Sequence, residues 1–160
     1  MKGKQPVIDA LNQAARAELQ AICQYRTHRE MQKAAGYSRL SKRLSREHLE
    51  DEERHLRLFM ERIIFLEGVP DISHMPSLKI GDNIPAQFEN DLSAEYEAIA
   101  QYREASILCG TQGDFTSQNL FEDILAEEED HASDFEQQLA VINQTGLETY
   151  LARNSHVEAK

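Results

Sequence analysis

Two Glu-x-x-His pairs, Glu52/His55 and Glu128/His131, are the residues in this sequence best placed to do chemistry. Residues three apart share a helix face, so each pair sets a carboxylate beside an imidazole. Two more glutamates, Glu18 and Glu95, each stand in the middle of an apolar helical stripe. Four carboxylates and two imidazoles converging in one core make a donor set for two divalent cations. Burying ionised carboxylates without partners costs several kcal/mol each, and two cations cancel that charge. Oxygen-rich donors with a minority of imidazole suit iron or manganese better than a thiol-loving metal. Few protein ligands per metal leave coordination positions open to dioxygen or peroxide.

One Glu-x-x-His is a weak signal in a chain with 28 Asp and Glu. The specificity comes from an internal repeat. The decapeptide starting at Ala17 and ending at Arg26 matches the one from Ala94 to Arg103 at seven of ten positions. Leu49, Glu52, Glu53, His55 and Phe59 recur as Leu125, Glu128, Glu129, His131 and Phe135. The offsets are 77 and 76 residues. The chain thus reads as a duplicated helical hairpin, each half giving one lone Glu and one Glu-x-x-His. A pseudo-two-fold between the hairpins brings their polar centres together. The competing structural reading, a bundle whose polar stripe merely faces solvent, leaves that duplicated frame unexplained.

Positioning these side chains requires long helices. The apolar periodicity predicts helices over 6–35, 39–67, 85–108 and 115–143, and a short fifth over 147–153. The stripes run Val7, Leu11, Ala15, Glu18, Ile22, Tyr25; Leu44, His48, Glu52, His55, Phe59, Ile63, Leu66; Phe88, Leu92, Glu95, Ile99, Tyr102; and Phe121, Leu125, Glu128, His131, Phe135, Leu139, Ile142. Pro6 suits a first turn. Ser38, Asp82 or Asn83, and Asp114 suit N-caps. Gly36, the Gly68-Val69-Pro70 run and Gly146 suit stops. The first–second and third–fourth links are short, whereas residues 68–83 hold Gly68, Pro70, Pro76 and Gly81 and make one long connection. The expected fold is all-α: an up-down-down-up four-helix bundle with a long crossover between the second and third helices and a short fifth C-terminal helix.

The 160 residues suit one domain spanning 1–160. Lys and Arg number 17 against 28 acidic residues, a formal net charge of -11, which disfavours nucleic acid as a partner. Cys23 and Cys109 lie inside helical patterns without a C-x-x-C pair and read as reduced thiols. The polar N-terminus does not resemble a secretory signal, and no apolar run reaches the ~18 residues of a membrane span. The cytoplasm is the expected compartment.

At the ligand residues the sequence resembles the bacterioferritins of the ferritin-like superfamily, over nearly its whole length. The stretch Arg62-Ile63-Ile64-Phe65-Leu66-Glu67-Gly68-Val69-Pro70 is similar to the family's end of the second helix. The stretch Gly146-Leu147-Glu148-Thr149-Tyr150-Leu151 is similar to its start of the fifth. The resemblance implies a ferritin-like bundle, a 24-subunit homo-oligomeric cage, and an intrasubunit di-iron centre holding two iron ions per subunit. It implies ferroxidase activity, in which Fe(II) is oxidised by dioxygen or peroxide and ferric mineral is stored. It makes Glu18 and His55 terminal at one iron, Glu95 and His131 terminal at the other, and Glu52 and Glu128 bridging. By the same resemblance a ferredoxin reductant for iron release is a possible partner, which in that family often reads the haem region, so the residue at position 53 leaves it open.

One position departs from the family. Bacterioferritins usually carry Met directly after the second-helix ligand Glu, where it ligates a haem shared by two subunits. Here that residue is Glu53, and a carboxylate does not replace a soft thioether. Haem is therefore expected to be absent from this chain alone, although a heteromer with a haem-binding paralogue stays open.

Tyr25 and Tyr102 lie two turns beyond Glu18 and Glu95 and can each hydrogen-bond a ligand carboxylate. Tyr25 also matches a tyrosine beside the family's di-iron centre, where it can donate electrons. His48, one turn before Glu52, reads as a packed or supporting histidine rather than a seventh ligand. Through the resemblance, Glu47 and Asp51 belong to a cavity-facing stretch that can carry iron in transit. Glu127, Glu129 and Asp130 are expected to face cavity or solvent. His28, His74 and His156 receive no role. The alternative function is a stand-alone di-iron oxidase or peroxidase without storage. A DNA-protecting mini-ferritin does not need a duplicated ligand set within one chain.

Overall fold

The computed structural model describes residues 2–155; His156 lies outside the described residues. The helices are α1 (Gln5–Ala34), α2 (Ser38–Leu44), α3 (Glu50–Phe65), α4 (Ile84–Thr111), α5 (Phe115–Thr145) and α6 (Leu147–Asn154). A π-helical turn, Ser45–Leu49, joins α2 to α3 into one long element. Inside that turn the Glu50 N–H reaches back five residues to the Ser45 carbonyl.

Two apolar lobes show how the helices run. One contains Val7 and Leu11 of α1, Phe59 and Ile63 of α3, Tyr102 and Cys109 of α4, and Phe121 and Ile124 of α5. The starts of α1 and α5 therefore meet the ends of α3 and α4, which is the up-down-down-up order. The second lobe contains Ile22 and Tyr25, Leu40 and Leu44, Phe88, and Phe135 and Ile142, capped by Tyr150 of α6. Each fully buried side chain of this size contributes about 1.5–3 kcal/mol. Between the lobes lies a layer of buried charge.

Most expected boundaries agree within three residues. Asn83 caps α4 by accepting from the Ala86 N–H, and Asp114 caps α5 by accepting from the Ser117 N–H. Ser38 does not cap α2. The Tyr37 N–H bonds back to the Gln32 carbonyl, so the link closes early and Ser38 already sits in the first turn. At the end of α3, Glu67 rather than Gly68 takes the left-handed backbone, with φ 59°.

The long connection, residues 66–83, runs the length of the bundle and is fastened along α1 by a polar ridge stepping four residues. Asn12 donates to the Val69 carbonyl (3.2 Å) and accepts from the Asp71 N–H (2.6 Å). Arg16 donates to the Asp71 carbonyl (3.0 Å), and Gln20 to that of Ser77 (2.9 Å). Gln24 accepts from the Lys79 N–H (2.9 Å), and His28 Nε2 accepts from the Gly81 N–H (3.0 Å). His28, given no role on sequence grounds, is fully buried and bonds the buried Asp91 through Nδ1 at 2.9 Å. Its Nε2 accepts, so its Nδ1 carries the proton and donates.

Gly81 is where this strap presses closest to the bundle. A Cβ there would stand 2.4 Å from the Gln87 backbone nitrogen. Gly81→Ala is expected to displace the strap and destabilise the chain by about 1–3 kcal/mol, as overpacking does. Thermal unfolding of the purified variant measures this.

Candidate metal centre

All six sequence-predicted donors meet in the polar layer between the lobes. Glu18, Glu52, His55 and Glu128 bring one donor atom each within 4.8 Å of one another, and so do Glu52, Glu95, Glu128 and His131. Glu52 and Glu128 belong to both sets. His55 Nδ1 lies 3.1 Å from Glu128, 3.3 Å from Glu52 and 3.7 Å from Glu18. His131 Nδ1 lies 3.0 Å from Glu128, 3.2 Å from Glu52 and 3.7 Å from Glu95. The two halves thus mirror each other, as the duplication requires.

Sharing one buried layer sets the charge states of these groups. Burial, then the charges of Glu128 and Glu52, push Glu18 well above the usual carboxylate range. Burial, then Glu52 and Glu128, do the same to Glu95. Burial also acts upward on Glu52, but the close imidazoles of His131 and His55 outweigh it and hold its carboxyl low. Burial acts downward on the histidines, yet contacts with Glu128 and Glu52 push His131 up to about 12, and His55 rises with Glu128, Glu18 and Glu52 around it. Without metal, the protons on the imidazoles are the counter-ions of this layer. Glu52 Oε1, Glu128 Oε1 and His55 Nδ1 are buried with no hydrogen bond of proper geometry, despite these short contacts. Unsatisfied buried donors and acceptors are costly; here they point inward at shared space, and their chemistry fits divalent metal.

The surrounding shell repeats the two-fold. Tyr25 donates to Glu95 Oε1 and Tyr102 to Glu18 Oε1, each phenol crossing to the other hairpin's lone glutamate. On the far side, Glu127 lies 3.2 Å from His55 Nε2 and Asp51 lies 3.5 Å from His131 Nε2. Each is the residue just before a Glu of the opposite helix's pair. Arg54 joins the two, bonding Asp51 at 2.9 Å and also Glu127. Burial acts upward on both carboxyls, but Arg54, with His131 beside Asp51 and His55 beside Glu127, outweighs it and keeps them low. Glu127 therefore does not simply face cavity or solvent. Its reach across to His55 depends on the interhelical spacing, which no sequence period contains. Glu129 does point outward, pairing with Arg103 at 3.3 Å among exposed side chains.

His48 packs as a supporting histidine. Its ring stacks on Phe135 at 4.4 Å and meets His131 edge-on at 4.7 Å. Its Nε2 lies 3.0 Å from Asp134, which also pairs with Arg43. Burial, then the His131 charge, lower His48 to about 3. Asp134 escaped the sequence reading because nothing in its own spacing marks it.

Space reaches the centre from two sides. Between α1 and α4, under Pro76 of the strap, a cavity of about 140 Å³ is lined by Glu18, Tyr25, Glu52, Glu95, Tyr102 and Glu128 among others. Opposite, a cleft of about 300 Å³ is lined by Glu47, His48, Asp51, Glu127, Asp130, His131 and Asp134. Glu47 and Asp51, placed together by the sequence, do share this cleft.

The Ferritin-like domain family matches residues 8–145, which include every one of these side chains. A bacterial ferritin of Synechocystis sp. is 41% identical over 152 residues, covering 94% of this chain and 97% of its own. The bacterioferritin of Brucella melitensis is 40% identical over 150 residues, covering 94% and 92%. The chain belongs to the bacterioferritin family. Among solved bacterioferritins, that of Mycobacterium tuberculosis superposes with a TM-score of 0.94 at 35% identity, covering 98% of both chains. That of Rhodobacter capsulatus, described with a metal-free dinuclear site and a haem iron, superposes with a TM-score of 0.96 at 35% identity, covering 100% and 99%. Glu53, the residue directly after Glu52, is half-exposed and paired with Arg26. Its duplicate is the Arg103–Glu129 pair.

Proposed function

We propose that this bacterioferritin-family chain stores and detoxifies iron, oxidising Fe(II) to Fe(III) at an intrasubunit ferroxidase centre. The observation that carries the reading is the six-donor layer, with four buried carboxylates and inward-facing atoms that no hydrogen bond satisfies. Glu18 and His55 serve one metal position, Glu95 and His131 the other, and Glu52 and Glu128 bridge. Fe(II) is the substrate, and each ion gives one electron to dioxygen or peroxide. The carboxylates hold the substrate ions side by side and offset their charge. Tyr25 and Tyr102 orient the terminal glutamates. Asp51 and Glu127 orient the imidazoles through their distal nitrogens, which is how outer carboxylates keep a histidine ligand aligned. The acidic cleft beside His131, with Glu47 and Asp51, passes iron between the centre and a storage cavity.

The mineral is held in a homo-oligomeric, 24-subunit cage in the cytoplasm. Ile72, Met75, Leu78 and Ile80 expose apolar surface along the strap, a face suited to a second copy. Among the described residues, no helix is long and apolar enough to cross a membrane. No haem binds through position 53 in the homomer, because Glu53 offers a carboxylate already engaged by Arg26. Haem enters only in a heteromer with a Met-bearing paralogue, and a ferredoxin supplies electrons for release.

Size-exclusion mass and aerobic Fe(II) loading test this together. A cage-sized assembly should accumulate soluble ferric mineral and show no bis-methionine haem spectrum. Glu18→Ala and His131→Ala should both lose the fast oxidation. A monomer or dimer that oxidises Fe(II) without retaining mineral would mean a stand-alone oxidase instead.

A further inference from the structure

The duplicated decapeptide carries a tyrosine in both halves, and the structure treats the two alike. Tyr25 and Tyr102 are both fully buried. Each donates to the terminal glutamate of the opposite hairpin. Both line the same 140 Å³ cavity against the carboxylates. The family resemblance gives electron donation to Tyr25 alone. Nothing in the geometry separates Tyr102 from that role.

We propose that Tyr102 is a second redox-active tyrosine, matched to Tyr25, so that one dioxygen receives all four electrons within one subunit. This rests on the ferroxidase reading of the centre. Two electrons come from two Fe(II) substrate ions, and one from each phenol. Dioxygen is the oxidant; its O–O bond breaks and two waters form. Tyr102 loses an electron to the oxidant and its hydroxyl proton to Glu18, leaving a neutral phenoxyl radical. Tyr25 does the same toward Glu95. Of the four protons that water formation consumes, two trace to the phenols and two to solvent. Without the tyrosines, two Fe(II) ions reduce dioxygen only as far as peroxide.

The surroundings of the two rings differ, so their radicals can be told apart. The Tyr102 ring contacts Phe59 at 5.5 Å and Phe121 at 5.8 Å, neither easily oxidised. The Tyr25 ring contacts Phe135 at 5.9 Å and the His48 imidazole at 6.1 Å.

The test is freeze-quenched electron paramagnetic resonance after mixing the assembled protein, loaded with two Fe(II) per chain, with dioxygen. Wild type, Y25F, Y102F and the double variant are compared, and ring-deuterated tyrosine in the wild type identifies tyrosyl signals without any substitution. Both single variants should give tyrosyl radicals of different line shape. The double variant should give none and should release about one peroxide per two iron ions oxidised. Metal-free thermal unfolding of Y102F reports any purely structural loss. A Y25F protein that oxidises iron rapidly but forms no radical would overturn the role of Tyr102 and leave it positioning Glu18. A wild type that fails to oxidise iron would overturn the ferroxidase reading, and this inference with it.

Discussion

Glu18→Gln is expected to melt above the wild type when both are metal-free at neutral pH, and to lose rapid Fe(II) oxidation. Glu18 is buried beside Glu52 and Glu128, and its carboxyl is pushed upward. A carboxyl raised on folding contributes its full stability below the unfolded value of about 4.3, and loses it as pH climbs toward the folded value. At neutral pH the metal-free wild type bears that penalty. The amide of Gln does not ionise, and its oxygen still accepts from Tyr102. Each pH unit above the unfolded value costs a raised carboxyl up to about 1.4 kcal/mol, so a side chain that does not ionise should stabilise by roughly 1–4 kcal/mol at neutral pH, and each kcal/mol moves the midpoint of a chain this size by about 2–4 °C. The difference should shrink from pH 7.5 to pH 5. Divalent metal at 100 times its dissociation constant stabilises the native state by about 2.7 kcal/mol per site, so metal should lift the wild type, with both positions, further than the variant, which keeps one. Calorimetry with and without metal reads both halves. Oxidation should fall by about 100-fold or more, at least the upper range for losing a supporting group. A variant that melts lower than the wild type without metal would contradict this charge assignment.

Arg54→Ala should weaken both metal positions at once, although Arg54 touches neither lone glutamate. Arg54 is the one cation bonded to both Asp51 and Glu127 among the described residues, and these face the distal nitrogens of His131 and His55. Without it, two acidic side chains at the cleft repel and turn to solvent, and both imidazoles lose their oriented acceptors. Such losses cost roughly 10–100-fold in metal affinity. Glu127→Ala removes the acceptor at His55 alone and should weaken chiefly that position. Competition titrations with a divalent cation distinguish a two-site loss from a one-site loss. Equal affinities in wild type and Arg54→Ala would remove the clamp from the description.

The sequence marks what repeats with the helical period and misses what depends on packing. Glu18, Glu52, His55, Glu95, Glu128 and His131 interrupt apolar stripes at regular steps, so their shared face, and hence their meeting, follows from spacing. The same holds for the bundle order, since one long link among short ones leaves little choice. Arg54, Glu127 and Asp134 lie off those stripes and reach the centre only across helix interfaces. Tyr25 and Tyr102 could be placed near a carboxylate, but not on the opposite hairpin's, because that depends on how the halves face each other. The ridge Asn12, Arg16, Gln20, Gln24, His28 was present at perfect four-residue spacing. It looks like an ordinary solvated face until the strap is known to cover it.

The π-helical turn explains why the two repeat offsets differ by one. Each lone glutamate lies sixteen steps before the last residue of its helix, and each short link holds three residues. From Ser38 to Glu52 is fourteen steps, whereas from Phe115 to Glu128 is thirteen. The surplus residue falls where Ser45–Leu49 widens the helix, as a π-bulge absorbs one extra residue. The two halves of the gene thus differ in this stretch by a single codon, absorbed within one turn, so that everything downstream of it kept its aim.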